Sequence, residues 1–320
     1  MATEEAALFR LFGAPVYAYG LALLLGCWAG LATLFCLGRK QEGESKAAAV
    51  AGVLALPLGL ALARAAFVLL DPGFAPFLNL KNALDLTGGG FAMYGALLGI
   101  ILAALAGARA GKVRPARMLD LAAASAMAFL VPARLGEGFT ALGISRPLTT
   151  QWLADSFLAY RDQYDAYLRT YLLEAAFALL TLVILLSYLR RAHKAGRVFT
   201  LGCLLYGVSQ TLMESLRYDG HLRYSFIGVQ QVLSAALFTG ALAALAVSLL
   251  KTGKARALPA LSLAALPLIW AAAVGVEFLV DRSSLGKLPS YGLYLLVLAV
   301  PLALGVSMLR QEGRLAKGTD

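Results

Sequence analysis

The sequence is short of charge. Asp, Glu, Lys and Arg make up 14% of the 320 residues, where a soluble domain carries roughly a quarter. A water-exposed surface over most of the chain is therefore excluded. Histidine occurs only as His193 and His221, and cysteine only as Cys27, Cys36 and Cys203. Their spacing suits neither a metal site nor a disulfide framework, and the three thiols read as small packing residues. Gly88-Gly89-Gly90 is not followed by the lysine that a phosphate loop requires. The first residues lack the basic n-region and small-residue cleavage site of a secretory signal peptide.

Apolar residues take the place of charge: they form 60% of the chain, and mean hydropathy is +0.75. A bilayer is crossed by about 20 apolar residues in a helix. Apolar runs at 15–38, 47–70, 91–110, 119–142, 170–189, 198–216, 226–250, 257–280 and 289–309 predict an all-α, polytopic integral membrane protein of about nine transmembrane helices. The basic residues within 39–46, 109–117, 190–197, 251–256 and 310–317 all fall on alternate connections, which the positive-inside rule makes cytoplasmic. The N-terminus is then outside and the C-terminus inside. The net charge of +10 reflects this sorting, so no nucleic-acid partner is implied, and His193 is a bystander in one of the basic loops.

Charges inside spans are costly and mark sites that face polar cavities. The stretch Leu119–Gly143 carries Asp120 at one end and Arg134 and Glu137 near the other. Arg64 lies in the outer half of the second span and Glu174 just inside the fifth. Tyr206, Gln210, Glu214 and Arg217 recur every three or four residues, on one face of the sixth. Guanidiniums and carboxylates gathered at the outer level suit an anionic amphiphile, its phosphate gripped bidentately and its tails between helices. The outer connections 71–90, 143–169 and 217–225 are expected to frame this level. Within them, 151–169 reads as an interfacial amphipathic helix carrying Trp152, Phe157, Tyr160, Tyr164 and Tyr167. Residues 1–14 read as an interfacial lead, and His221 as part of a solvated loop.

The motifs, in order, are Tyr19-Gly20 in the first span, Arg64 in LARAAFVLL, and NALDLTGGGFAMYGALLG at the third. Asp120 with Arg134-Leu135-Gly136 follows, then Glu174 in YLLEA, and LYGVSQTLMESLRYDG with Tyr206, Gly207, Glu214 and Arg217. GVQQVLS, with Gln231 and Ser234, closes the series. Over 15–250 the chain resembles the prolipoprotein diacylglyceryl transferases. The resemblance implies a seven-helix transferase core in a bacterial inner membrane, with two additional helices in 251–320. It also implies transfer of the diacylglyceryl group of phosphatidylglycerol to a lipobox cysteine thiol, with release of glycerol phosphate. By the same resemblance, Arg134 and Arg64 hold the lipid phosphate, and Glu214 and Arg217 shape the pocket. Tyr19, Gly95, Gly136, Tyr206 and Gln210 line the substrate, and Asp120 is structural. Phosphatidylglycerol or another anionic phospholipid and a prolipoprotein signal peptide are the implied partners of a monomer that needs no cofactor or metal.

The chain departs from the family pattern at several positions. Tyr94-Gly95-Ala96 stands where the family has His-Gly-Gly, Gln210 where it has an arginine, and Glu137 where it has an asparagine. The family's later loop glutamate corresponds to Leu142 or has moved. Tyr94, with an ordinary pKa near about 10, or Glu137, raised by burial, becomes the candidate base. The alternative readings are a member that binds or moves lipid or lipoprotein without catalysis, and one that serves another acceptor.

Overall fold

The computed structural model describes residues 7–39, 42–71, 73–85, 89–191, 194–220, 222–253, 256–282 and 286–317. His193, His221 and Gly88 lie outside these. In chain order the elements are β1 (Phe9–Leu11), β2 (Ala14–Val16), α1 (Ala18–Gly38), α2 (Glu42–Leu70), α3 (Leu80–Leu84), α4 (Met93–Gly111) and α5 (Pro115–Gly136). Next come β3 (Ile144–Pro147), α6 (Gln151–Ala154), β4 (Ala159–Arg161), β5 (Ala166–Arg169), α7 (Thr170–Leu189) and α8 (Arg197–Leu216). The chain ends with β6 (Arg223–Tyr224), β7 (Ile227–Gly228), α9 (Val229–Thr252), α10 (Ala257–Arg282) and α11 (Lys287–Lys317).

Among the described residues, eight helices are long and apolar enough to cross a membrane. The chain is thus an all-α polytopic membrane protein. The ninth expected span, α8, has the length but not the hydropathy, because Gln210 and Glu214 interrupt its apolar face.

The chain divides into two compact units. One comprises Ala29–Ala126 and Lys194–Phe199; the other comprises Met1–Trp28, Met127–His193 and Thr200–Asp320. In the first, α2 and α4 pack antiparallel along small residues. A Cβ added at Gly95, Gly99, Gly107 or Gly111 would come within 2.3, 2.5, 2.3 and 2.3 Å of the carbonyl oxygens of Leu62, Leu58, Ala47 and Gly43. Lipid provides no hydrophobic drive for helix pairing, so such close backbone approach is what holds the pair. Gly95, expected to line the substrate, is used in this contact. At the far end of the unit, Asp120 accepts the N–H groups of Gly196 and Phe199, each at 2.8 Å, and so caps α8. Its structural assignment stands on that geometry.

In the second unit α9, α10 and α11 pack on one another, burying Phe238, Leu242, Leu245, Tyr294 and Leu298. Residues 151–169 form no long helix. After the single turn of α6 they make β4 and β5, which pair with β3 in a three-stranded antiparallel sheet of order β3-β5-β4. Two features override the helix-like aromatic spacing. Asp162 Oδ1 accepts the N–H groups of Tyr164 and Asp165, both at 2.7 Å, which turns the chain back on itself. Tyr160 then faces Tyr167 across the strands. The start of the chain likewise forms a hairpin, β1-β2, with Phe12 and Gly13 at positive φ in its turn. The apolar side chains of Leu8, Leu11 and Phe12 are exposed there.

Candidate active site

The second unit gathers the charged residues of three helices. α5 ends on Arg134, and the following turn of 3-10 helix, Glu137–Phe139, places Glu137 three residues later on the same side. Gly136 lies between them: a Cβ there would be 2.4 Å from Ala22 Cβ and 3.2 Å from the Tyr19 ring. Glycine at 136 therefore lets α1 lie against the end of α5 beside Tyr19, and its role is packing. Glu174 comes from the first turns of α7, Gln210 and Glu214 from α8, and Arg217 follows the α8 end.

These side chains interlock. Arg134 Nη1 is 2.5 Å from Glu137 Oε1, and its Nε is 2.9 Å from Glu174 Oε2. Arg217 Nη1 is 2.7 Å from Glu174 Oε1 and 3.0 Å from Glu137 Oε2. Glu137 and Glu174 thus each bridge both guanidiniums, closing a four-membered ring of charges. Asp219 Oδ2 accepts from Arg217 Nη2 at 2.6 Å and also from the Gly143 N–H at 2.5 Å, which ties the β3 entry to the end of α8. The Gln210 amide donates to Glu174 at 3.2 Å and to Glu214 at 3.1 Å, and the buried Tyr206 hydroxyl lies against Arg134. None of Arg134, Glu137, Glu174, Gln210, Glu214 and Arg217 is more than 7% exposed.

The charge balance of this site is informative. Arg134 and Arg217 meet the carboxylates of Glu137, Glu174, Glu214 and Asp219, and Arg223 adds a third guanidinium that donates to the carbonyls of Glu214 and Arg217. Acid outnumbers base by one. Gln210 supplies N–H donors without a charge at the position where the resemblance calls for arginine. Glu137 Oε2 is buried and has no hydrogen bond of good geometry, despite its ion-pair distance from Arg217. A buried acceptor left without a well-aligned donor is costly. Glu174, read from the sequence as part of the charged outer level, and Asp219, which was not among the expected residues, complete the network. Their signal in the sequence is a carboxylate inside the apolar α7 and a Tyr-Asp-Gly turn two residues after Arg217.

The other unit holds Arg64, Tyr94 and Gly95. The Arg64 guanidinium donates to the carbonyls of Asn82, Ala83, Gly89 and Gly90 at 2.6, 3.0, 2.6 and 3.1 Å. It also stacks against Phe67 and Phe74 with centroid distances of 5.6 and 5.2 Å. Its donors are spent on these four carbonyls rather than standing open to a phosphate. A polar cavity of about 270 Å³ lies among Arg64, Phe67, Phe74, Asn82, Asp85, Gly89 and Gly90. An apolar groove of about 530 Å³ along Pro57, Leu60, Ala61, Val68 and Leu69 shares Arg64 as its polar wall. Tyr94 is half-buried in the first turn of α4. Among the described residues no group of three His, Cys, Asp or Glu side chains could hold a metal.

Comparison with known proteins agrees with the motif order. The family model for prolipoprotein diacylglyceryl transferase matches residues 6–247. The phosphatidylglycerol–prolipoprotein diacylglyceryl transferase of Clostridium tetani is 29% identical over 252 residues, covering 72% of this chain and 92% of its own length. That of Lactobacillus acidophilus is 28% identical over 242 residues, covering 72% and 85%. That of Acaryochloris marina is 33% identical over 164 residues, covering 49% and 59%. The matched region runs from the β1-β2 hairpin into α9 and includes every residue of the charged ring. With eight helices among the described residues apolar enough to cross a membrane and a family match over most of its length, the chain is a multi-pass membrane protein that belongs to the prolipoprotein diacylglyceryl transferase family.

Proposed function

We propose that this protein moves the diacylglyceryl group of phosphatidylglycerol onto the thiol of a lipobox cysteine in a prolipoprotein signal peptide. The observation that carries the reading is the buried ring of Arg134, Glu137, Glu174 and Arg217, built from segments inside the family match.

In the reaction, the cysteine sulfur bonds to the glyceryl carbon that bears the phosphate. The carbon–oxygen bond to phosphate breaks, and glycerol phosphate leaves with the bonding pair. The thiol proton must be lost, because the thiolate is the nucleophile. Negative charge accumulates on the departing phosphate, where preorganised guanidiniums stabilise it. Arg134 and Arg217 are the cations for this task, and Arg64 shapes the neighbouring segment. Glu137 serves as the base. When Glu137 takes the thiol proton, its carboxyl loses its ionic hold on the two guanidiniums, and these turn to the phosphate oxygens, where the negative charge released from the thiol ends as carbon–oxygen cleavage is completed. Within its own unit, the cavity and the apolar groove that share Arg64 offer a polar and an apolar compartment side by side, as a phospholipid head and chains require.

We read the basic loops as cytoplasmic, which places the N-terminus outside, the C-terminus inside and the charged ring toward the outer face. This sorting requires α8 to cross the membrane despite its polar face. The protein acts as a monomer.

The test is transfer of labelled diacylglyceryl from phosphatidylglycerol to a lipobox peptide by the purified protein, beside Arg134→Ala, Glu137→Gln and Tyr94→Phe. Thioether formation that is abolished by Arg134→Ala and lowered about 10²-fold or more by Glu137→Gln supports the reading. A Glu137→Gln variant as active as the wild type, with Tyr94→Phe inactive, moves the base to Tyr94. Absence of thioether from the wild type, with lipid retained and retention weakened by Arg134→Ala, overturns catalysis in favour of lipid binding. That outcome is the one the replacements at 94 and 210 would favour.

A further inference from the structure

The residues that follow the family match are bonded to the back of the site. The match ends at 247, whereas α10 and α11 begin at Ala257 and Lys287. α8 presents Gln210 and Glu214 to Glu174 on one face. On its other side, Tyr291 Oη donates to the Ser215 carbonyl at 3.0 Å. Gln231 of α9 reaches the Thr211 carbonyl at 3.5 Å. The same amide donates to Glu277 Oε2 at 2.7 Å and lies 3.0 Å from Tyr294 Oη. Glu277 is 3% exposed and Tyr294 1%. A fourth tie runs from Asp281 of α10 to Arg146 of β3 at 3.2 Å, and Arg146 lies over the Tyr218 ring at 4.6 Å.

A carboxylic acid buried in a membrane helix costs several kcal/mol unless it is used. Here it is used to hold a glutamine that reaches the turn carrying Gln210 and Glu214. Carbonyls in the last turn of a helix have no partner within the helix. Tyr291 satisfies the carbonyl of Ser215 there, between Glu214 and Arg217. We propose that the α10–α11 hairpin is a clamp on the C-terminal turn of α8, with Glu277 and Tyr291 as positioning residues for Glu214 and Arg217. Neither residue touches substrate. They act by holding the helix end at the distance from α5 and α7 that the charged ring requires. A displacement of about 1 Å in such a constellation lowers turnover by up to about 10²-fold.

The inference rests on the proposed transfer activity, so the test carries a second readout. Full-length wild type, Tyr291→Phe, Glu277→Leu and Glu277→Gln are compared in the peptide transfer assay and by amide hydrogen exchange over 210–218. Tyr291→Phe removes one hydroxyl and leaves the ring, so the fold survives it. Expected are a kcat lowered about tenfold or more in Tyr291→Phe and Glu277→Leu, with KM for phosphatidylglycerol within about threefold. Exchange over 210–218 rises about tenfold in both, while exchange in α2 and α4 is unchanged. Glu277→Gln retains an oxygen that accepts from Gln231 and restores both readouts toward wild type. The clamp is overturned by wild-type kcat and exchange in Tyr291→Phe and Glu277→Leu, or by a Glu277→Gln variant as impaired as Glu277→Leu. If the wild type itself transfers nothing, the functional reading fails, and the exchange comparison alone decides the clamp.

Discussion

Between α2 and α4 the backbones approach until a single added Cβ at Gly107 would sit 2.3 Å from the Ala47 carbonyl, and no charge is involved. Around Arg134 and Arg217 the helices meet only through side chains, and nearly every contact is ionic or hydrogen-bonded. Both arrangements answer the same problem, since lipid gives apolar helices no reason to prefer each other to acyl chains. The first solves it with dispersion over a smooth surface and leaves no room for a Cβ at Gly95, Gly99, Gly107 or Gly111. The second solves it with desolvated charge, which is directional.

Removing a member of the ring has the largest expected effect. Arg217→Ala leaves Glu137, Glu174 and Asp219 without their shared cation. A loss of about 3–5 kcal/mol in stability is expected from the uncompensated buried charge, together with loss of transfer. Thermal unfolding in detergent and the peptide assay measure the two losses. The helix pair should instead separate stability from activity. Gly107→Ala, overpacked by a Cβ against backbone, is expected to lose about 1–3 kcal/mol. Gly240→Ala, with nothing within 4 Å of the new Cβ, should leave unfolding unchanged. Transfer per folded molecule stays at the wild-type level in both. If Gly107→Ala unfolds like the wild type, close backbone packing is not what holds the pair.

A smaller effect is expected from adding charge. Gln210→Arg supplies the cation that the ring lacks beside Glu174 and Glu214. It should lower the KM for phosphatidylglycerol several-fold, and a rise in KM would show that the surplus of acid is itself required. The smallest effect lies outside the membrane, at Asp162. The N–H groups of Asp165 and Tyr164 hold its carboxyl below the usual range. A lowered folded-state pKa gives stability that is present above the unfolded value of about 3.9 and is lost as pH falls through the folded value. Amide protection of the β4-β5 hairpin should therefore decline only in strong acid, and Asp162→Asn should abolish that pH dependence.

The lengths and places of the helices were legible because a membrane span is a local property: about 20 apolar residues must satisfy their own backbone. The members of the candidate ring were legible but not their pairing. Arg134, Glu137, Glu174 and Arg217, with Glu214 beside them, stand out because charge in an apolar run is expensive. Asp219 did not, because an aspartate in a polar turn looks ordinary until Arg217 is seen against it. Arg64 was legible as important but not in its role, since a guanidinium serves a phosphate and backbone carbonyls with the same donors. The β4-β5 hairpin within 151–169 reads as helix in the sequence because aromatic spacing carries no information about the partner strand, which Ile144–Pro147 supplies from outside that segment. Apolar length and basic-loop asymmetry thus determined the spans and the class from sequence alone. Only the tertiary structure decided which acid meets which base and which glycine touches which backbone. Those pairings join residues up to 135 positions apart, and no local pattern specifies a contact across that separation.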